Sequence, residues 1–203
     1  MNITKVKVNN FKKLKQFEFE PCSGMNILVG NNNEGKSTIF EAIHLALTGY
    51  YRGKYIRNCV TQDIFNEECV KEYISGINTE KNTKLPILNI ELFFDDIPEL
   101  LGTNNSEQED KSSINFSIEF DNSFEKEYKA FVEKGNITTL PIEYYKATWH
   151  CSANDDSEMT TRSIPIKSVL IDTSDSNLRN SSDTCISKII KEKLEEEEII
   201  DIS

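Results

Sequence analysis

No part of the sequence approaches the roughly 20 consecutive apolar residues needed to cross a bilayer. The amino terminus, Met-Asn-Ile-Thr-Lys-Val-Lys-Val, has no apolar signal core either. Both absences predict a cytoplasmic protein that does not engage a membrane. Cysteine pairs are missing as well. Cys22, Cys59, Cys69, Cys151 and Cys185 are scattered, odd in number and never spaced C-x-x-C, which argues against a disulfide framework and a Cys-rich zinc site. Only His44 and His150 are available to complete a metal shell, so no structural metal is expected. Glycine and proline are sparse, at eight and five in 203 residues, while 37% of residues are hydrophobic and 28% charged. That balance excludes collagen-like and wholly disordered chains, and the length suits one domain with a sizeable core or two small ones.

The net charge of −11 is unevenly spread. Residues 1–60 carry nine Lys and Arg against four Asp and Glu, whereas the remaining 143 carry fourteen against thirty. An acidic body is a poor binder of phosphate backbones, because affinity for nucleic acid rests on cationic neutralisation. The positive excess falls in the segment that also holds the strongest motif.

Residues 4–8 alternate, with Val6 and Val8 on one face and Lys5 and Lys7 on the other, and residues 17–20 resume the same period after Asn9-Asn10. The two predict an antiparallel strand pair. Met25, Ile27, Leu28 and Val29 form a nearly unbroken apolar run, the signature of a strand buried on both faces. A helix is predicted next, with Ile39, Ile43, Ala46 and Leu47 on one stripe and Gly49 at its C′ position. Residues 51–85 read as a polar, mostly helical excursion. Strands are predicted at 87–94, 114–120, 142–151 and 166–171, a loop at 102–113, a helix or a strand at 124–133 with the helix favoured, and a last helical pattern at 184–198 that ends in Glu195-Glu196-Glu197-Glu198.

Between the apolar run and the first helix stands Gly30-Asn31-Asn32-Asn33-Glu34-Gly35-Lys36-Ser37-Thr38, a match to G-x-x-x-x-G-K-[ST]. A triphosphate needs many donors close together with no side chains in the way. Gly30 and Gly35 allow the backbone to curl so that successive amides face one point. The following helix adds its positive N-terminal end there. Lys36 would reach the β- and γ-phosphates as the catalytic cation, Ser37 would ligate Mg²⁺ and Thr38 would donate to the α-phosphate. Asn31, Asn32 and Asn33 suit the loop because asparagine tolerates left-handed geometry. Strand, glycine loop and helix in this order predict ATP binding with Mg²⁺ as cofactor.

Asn10-Phe11-Lys12 after the first strand, the loop itself, and Glu41-Ala42-Ile43 together resemble the amino-terminal lobe of ABC-type ATPases of the SMC and RecF group. The Asn-Asn form of the loop is most similar to the overcoming-lysogenization-defect (OLD) family of ATP-dependent nucleases. Leu140-Pro141-Ile142-Glu143-Tyr144-Tyr145, Arg162-Ser163-Ile164-Pro165-Ile166-Lys167 and Val169-Leu170-Ile171-Asp172-Thr173-Ser174 look similar too. The resemblance implies an α/β P-loop NTPase lobe with a mixed sheet and an antiparallel β subdomain. It further implies a homo-oligomer formed around ATP and a carboxy-terminal TOPRIM nuclease that cleaves DNA under ATP control. An anti-phage role, with a defence-system partner protein, also follows from it. Phe11 and Lys12 would lie near the nucleotide. Residues 1–203 hold no Leu-Ser-Gly-Gly-like signature, no apolar strand ending in Asp-Glu and no TOPRIM segment. They are therefore expected to form one lobe, either the first part of a longer protein or a truncated product, with the nuclease elsewhere. The alternative reading is a nucleotide-sensing or assembly module that binds ATP without turnover.

Other candidates have plainer explanations. Val169-Leu170-Ile171-Asp172 has the form of a Walker B strand, but Thr173 stands where a catalytic carboxylate would follow, which favours a strand-end cap. Gln62 comes too soon after the helix to sense Mg²⁺. Asp155, Asp156 and Glu158 read as a solvated loop rather than a cation site, and Glu195 to Glu198 as a solvated face. His150 has no nucleophile near it in sequence, and Lys12, Lys13 and Lys15 form a small basic cluster of an ordinary kind.

Overall fold

The computed structural model describes residues 2–31, 34–80, 83–153 and 157–171. The chain divides into two units, 1–167 and 168–203, and the elements below belong to the first. They are β1 (Ile3–Phe11), β2 (Leu14–Phe19), α1 (Lys36–Thr48), β3 (Tyr50–Tyr51), β4 (Lys54–Tyr55), α2 (Glu67–Glu80), β5 (Leu88–Phe94), β6 (Leu101–Gly102), β7 (Lys111–Phe120), α3 (Glu125–Glu133) and β8 (Tyr145–Cys151). Six strands make one sheet in the order β2-β1-β5-β7, with β6 and β8 sharing the far edge of β7, and β3 and β4 form a separate hairpin. Every described pairing is antiparallel.

The period-2 alternation of these sequences sets the two faces of the sheet. One cross-strand row runs Phe17–Val8–Ile90–Phe116–Trp149, and a second Phe19–Val6–Leu92–Ile114–Cys151. The rows that alternate with them are of opposite character, Glu18–Lys7–Glu91–Asn115–His150 between the two and Gln16–Asn9–Asn89–Ser117–Thr148 on the other side of the Val8 row. The apolar rows form one core with Ala42, Leu45 and Ala46 of α1 and with Val70, Tyr73 and Ile77 of α2. On the polar face, Asn89 Nδ2 donates to Asn115 Oδ1 at 2.6 Å and to Ser117 Oγ at 3.1 Å. Glu107, in the loop before β7, meets Lys5, Lys7 and Lys111 at 2.8, 2.9 and 2.5 Å. Those three ammonium groups hold its carboxyl down at about 2.

Two expected strands are corrected. Residues 25–29 pair with no strand among the described residues, and Met25, Ile27 and Val29 are 87%, 76% and 87% exposed. A run apolar on both faces becomes a strand only between two ladder neighbours with both faces covered. Here no described strand flanks the run and its faces stay open, while residues of α1 and α2 join the sheet's apolar rows in the core. Residues 166–171 likewise carry no ladder, and Val169, Leu170 and Ile171 are exposed. The expected mixed sheet is thus, among the described residues, an antiparallel one, while the α/β class and the antiparallel subdomain stand. The pattern at 184–198 lies outside the described residues.

Candidate phosphate-binding site

The loop at 30–38 enters α1 through Gly35, whose φ of 91° and ψ of 9° place it in the left-handed region as the residue before the first helical turn. No side chain caps this end. The first helical amides belong to Lys36, Ser37 and Thr38, and amides in that position have no acceptor within their own helix. Their donors and the positive end of the helix dipole are what an anionic group requires. Ser37 is exposed beside them, whereas Thr38 is buried.

The neighbouring hairpin turn fixes where the loop sits. A Cβ built on Gly35 would lie 3.6 Å from Leu14 Cδ2 and 3.9 Å from Lys13 Cβ, so the turn between β1 and β2 packs against the mouth of α1. Lys12 adopts φ 49° in that turn. Its ammonium pairs with Glu41 on α1 and stands 5.6 Å above the Tyr51 ring. Its backbone is held from the other side, by Lys12 N–H donating to Ile64 O at 2.9 Å and Asn66 Nδ2 donating to Lys12 O at 2.7 Å. Phe11 is fully buried with its ring edge-on to Tyr51. Phe11 therefore anchors the turn from within the core and has no surface to offer a ligand.

Sequence reasoning passed over Asn66. Besides holding Lys12, its Oδ1 accepts the amides of Glu68 and Cys69 at 3.1 and 3.3 Å, satisfying free donors at the start of α2. The sequence signal was present: an asparagine directly before Glu67-Glu68 is a helix-start pattern. The opposite end of α1 is fixed by Gly49, with φ 73° and its amide on Leu45 O. There Trp149 Nε1 donates to Ala46 O at 2.8 Å.

Within the loop, Lys36 Nζ donates to Gly30 O at 2.5 Å and also to Asn31 O. The Glu34 carboxylate accepts the Asn31 backbone N–H at 2.7 Å and Asn31 Nδ2 at 2.8 Å. Those two donors, from the side chain first and the backbone second, lower the Glu34 carboxyl below its usual value, with help from the Lys36 charge. Asn31 does not take the left-handed geometry expected of it and serves as a hydrogen-bond partner. Asn32 and Asn33 lie outside the described residues.

The remaining candidates separate from this cluster. Gln62 Oε1 accepts Leu140 N–H at 2.8 Å, a structural contact. Lys15 is paired with Glu68 and Glu72 at 3.2 and 2.7 Å, so the basic cluster is largely neutralised by acidic partners. Glu158 pairs with Arg57. Asn115 stands opposite His150 on the polar face of the sheet, away from the apolar face on which α1 packs. Asp155, Asp156, Asp172 and Glu195 to Glu198 lie outside the described residues. Among the described residues, no three His, Cys, Asp or Glu side chains gather as a metal cluster, and no helix is long and apolar enough to cross a membrane.

A family model described as an AAA domain matches residues 5–202. Curated relatives are similar over part of the chain. The DNA replication and repair protein RecF of Desulforudis audaxviator is 36% identical over 62 residues, 30% of this chain and 17% of the relative. RecF of Nitrosococcus oceani is 47% identical over 45 residues, 22% and 12% of the two chains. RecF of Vibrio atlanticus is 28% identical over 88 residues, 43% and 23%. The aligned region spans less than a quarter of the length of these relatives.

Proposed function

The chain belongs to the AAA-domain family, and from that premise we propose that it is the ATP-binding lobe of an ATPase, with the phosphates seated on the amides at the start of α1. The observation that carries this reading is the left-handed Gly35 opening a helix whose first amides are uncapped. The groups present fit a nucleotide's phosphates: an exposed Ser37 hydroxyl, a lysine beside the loop and the uncapped first amides of α1. Mg²⁺ carried in with the nucleotide would neutralise phosphate charge and be held through Ser37. Lys36 moves from the loop carbonyls to the β- and γ-phosphates and stabilises charge that develops as water attacks. The Lys12–Glu41 pair and Asn66 keep the hairpin turn against the loop and so preserve the cradle's shape.

At a finer level, the proposal is an OLD-type ATP-dependent nuclease. ATP binding and hydrolysis between associated lobes would control DNA cleavage by a TOPRIM nuclease outside residues 1–203, in anti-phage defence. The loop sequence and its flanking residues support this reading, and so does the similarity to proteins named for DNA replication and repair. The test is a calorimetric titration with Mg²⁺-ATP. The wild-type chain binds, and Lys36→Ala weakens binding by at least about tenfold, the scale of one charge-assisted contact to phosphate. Equal affinity of the two proteins refutes the phosphate site. Phosphate release assays then separate turnover from binding without turnover.

A further inference from the structure

We propose that Glu34 gates the phosphate site, its carboxylate competing with the nucleotide's phosphates for the loop's own donors. The inference rests on the reading of residues 30–38 as a nucleotide site. It starts from the position of the carboxylate, not merely from its presence in the motif.

Asn31 follows the first glycine of the loop, and its backbone N–H is one of the donors a phosphate would claim. That N–H points at Glu34, 2.7 Å away, and the Asn31 side-chain amide clasps the second carboxylate oxygen at 2.8 Å. The carboxylate lies so close to Gly30 that a Cβ there would stand 2.5 Å from Glu34 Oε2. Gly30 therefore does more than permit a turn: its bare α-carbon makes room for the glutamate. Lys36 completes the closure by donating to Gly30 O and Asn31 O, with the Glu34 charge close enough to interact with its ammonium. The two charged side chains of the loop are thus both turned onto its backbone. An incoming polyphosphate has to displace an anion before it gains the Asn31 amide, and must also draw Lys36 away from two carbonyls.

The competition is between anions, so it grows with the charge of the ligand and is screened by salt. The experiment compares wild type with Glu34→Gln and Glu34→Ala by calorimetry, using Mg²⁺-ATP, ADP and adenosine at low and at high ionic strength. Both variants are expected to bind ATP about fivefold more tightly than wild type, the scale of one charged hydrogen bond at a solvated site. The gain is smaller for ADP, absent for adenosine and reduced by salt. In two-dimensional amide spectra recorded without nucleotide, the Asn31 resonance of wild type lies downfield, as for an N–H bonded to a carboxylate, and shifts upfield in Glu34→Ala. Affinities within twofold of wild type, or weaker binding by both variants, overturn the gate, as does an Asn31 resonance that does not move. Lys36→Ala serves as the control. If wild type binds and Lys36→Ala does not while the Glu34 variants match wild type, the gate fails and the nucleotide site survives. If no protein binds, both fail.

Discussion

Replacing Trp149 by phenylalanine tests how the phosphate-loop helix is held to the sheet. Trp149 is fully buried, tilted against Phe116 at 4.7 Å and stacked near Tyr55 at 6.3 Å. Ala46 O sits in the last turn of α1, where carbonyls have no helical partner, and Ala46 itself has no exposed surface. The indole N–H supplies the missing donor at 2.8 Å. A phenyl ring keeps most of the packing but leaves that carbonyl without its donor and out of reach of water, which costs about 1–3 kcal/mol. The smaller ring also gives up roughly 40 Å² of apolar burial, about 1 kcal/mol at ~25 cal/mol per Å². The total is about 2–4 kcal/mol. For a domain of this size it corresponds to a fall of roughly 5–15 °C in Tm, read from circular dichroism at 222 nm because the variant has no tryptophan left. A Tm within 2 °C of wild type would refute the claim that the indole satisfies the end of α1.

Asn66→Ala removes an N-cap and leaves Lys12 O without its side-chain donor, so a loss of about 1–3 kcal/mol is expected in urea unfolding. Asn66→Asp restores the cap but not the donor and should recover only part of the loss. Glu107 titrates at about 2 against an ordinary 4.5. A depressed folded-state pKa contributes stability that is complete above the unfolded value and disappears as pH falls from about 4.5 towards about 2. Thermal melts of Glu107→Gln should therefore show lower stability than wild type at pH 6 and a shallower decline across that acid window. Parallel declines would show that the three lysines contribute nothing through this carboxylate.

Where a segment's partners lie within the chain, its sequence pattern was a sufficient guide. Val6 and Val8 alternate with lysines because one face of β1 meets α1 and the other meets solvent and charge, and the period records that directly. The helix at Lys36–Thr48 and its Gly49 stop were readable for the same reason, whereas the pattern at 124–133 fitted helix and strand alike and the structure makes it a helix with no buried residue. Residues 25–29 and 166–171 show the opposite case, since an apolar run states that burial is needed but not what supplies it. The site divided along a similar line. The glycine spacing marked the loop as a candidate, whereas the contacts of Asn66 with Lys12 and of Glu34 with Asn31 follow from no local pattern, the first joining residues 54 positions apart. The family resemblance places Phe11 beside the nucleotide, but Phe11 ends β1 fully buried in the core that also holds Val6 and Val8, while Lys12 sits in the turn that follows.

The pairing of β1 with β5 joins the chain's first strand to one that begins at Leu88. Everything between them, including the phosphate loop, α1 and α2, lies on a closed excursion whose ends meet only when that ladder forms. During synthesis the ribosome therefore releases the glycine loop and its helix long before the surface that organises them exists. The apolar row through Val8 and Ile90 is complete only after the strand at 88–94 has emerged, so the core on which α1 packs finishes on a late, topologically distant event.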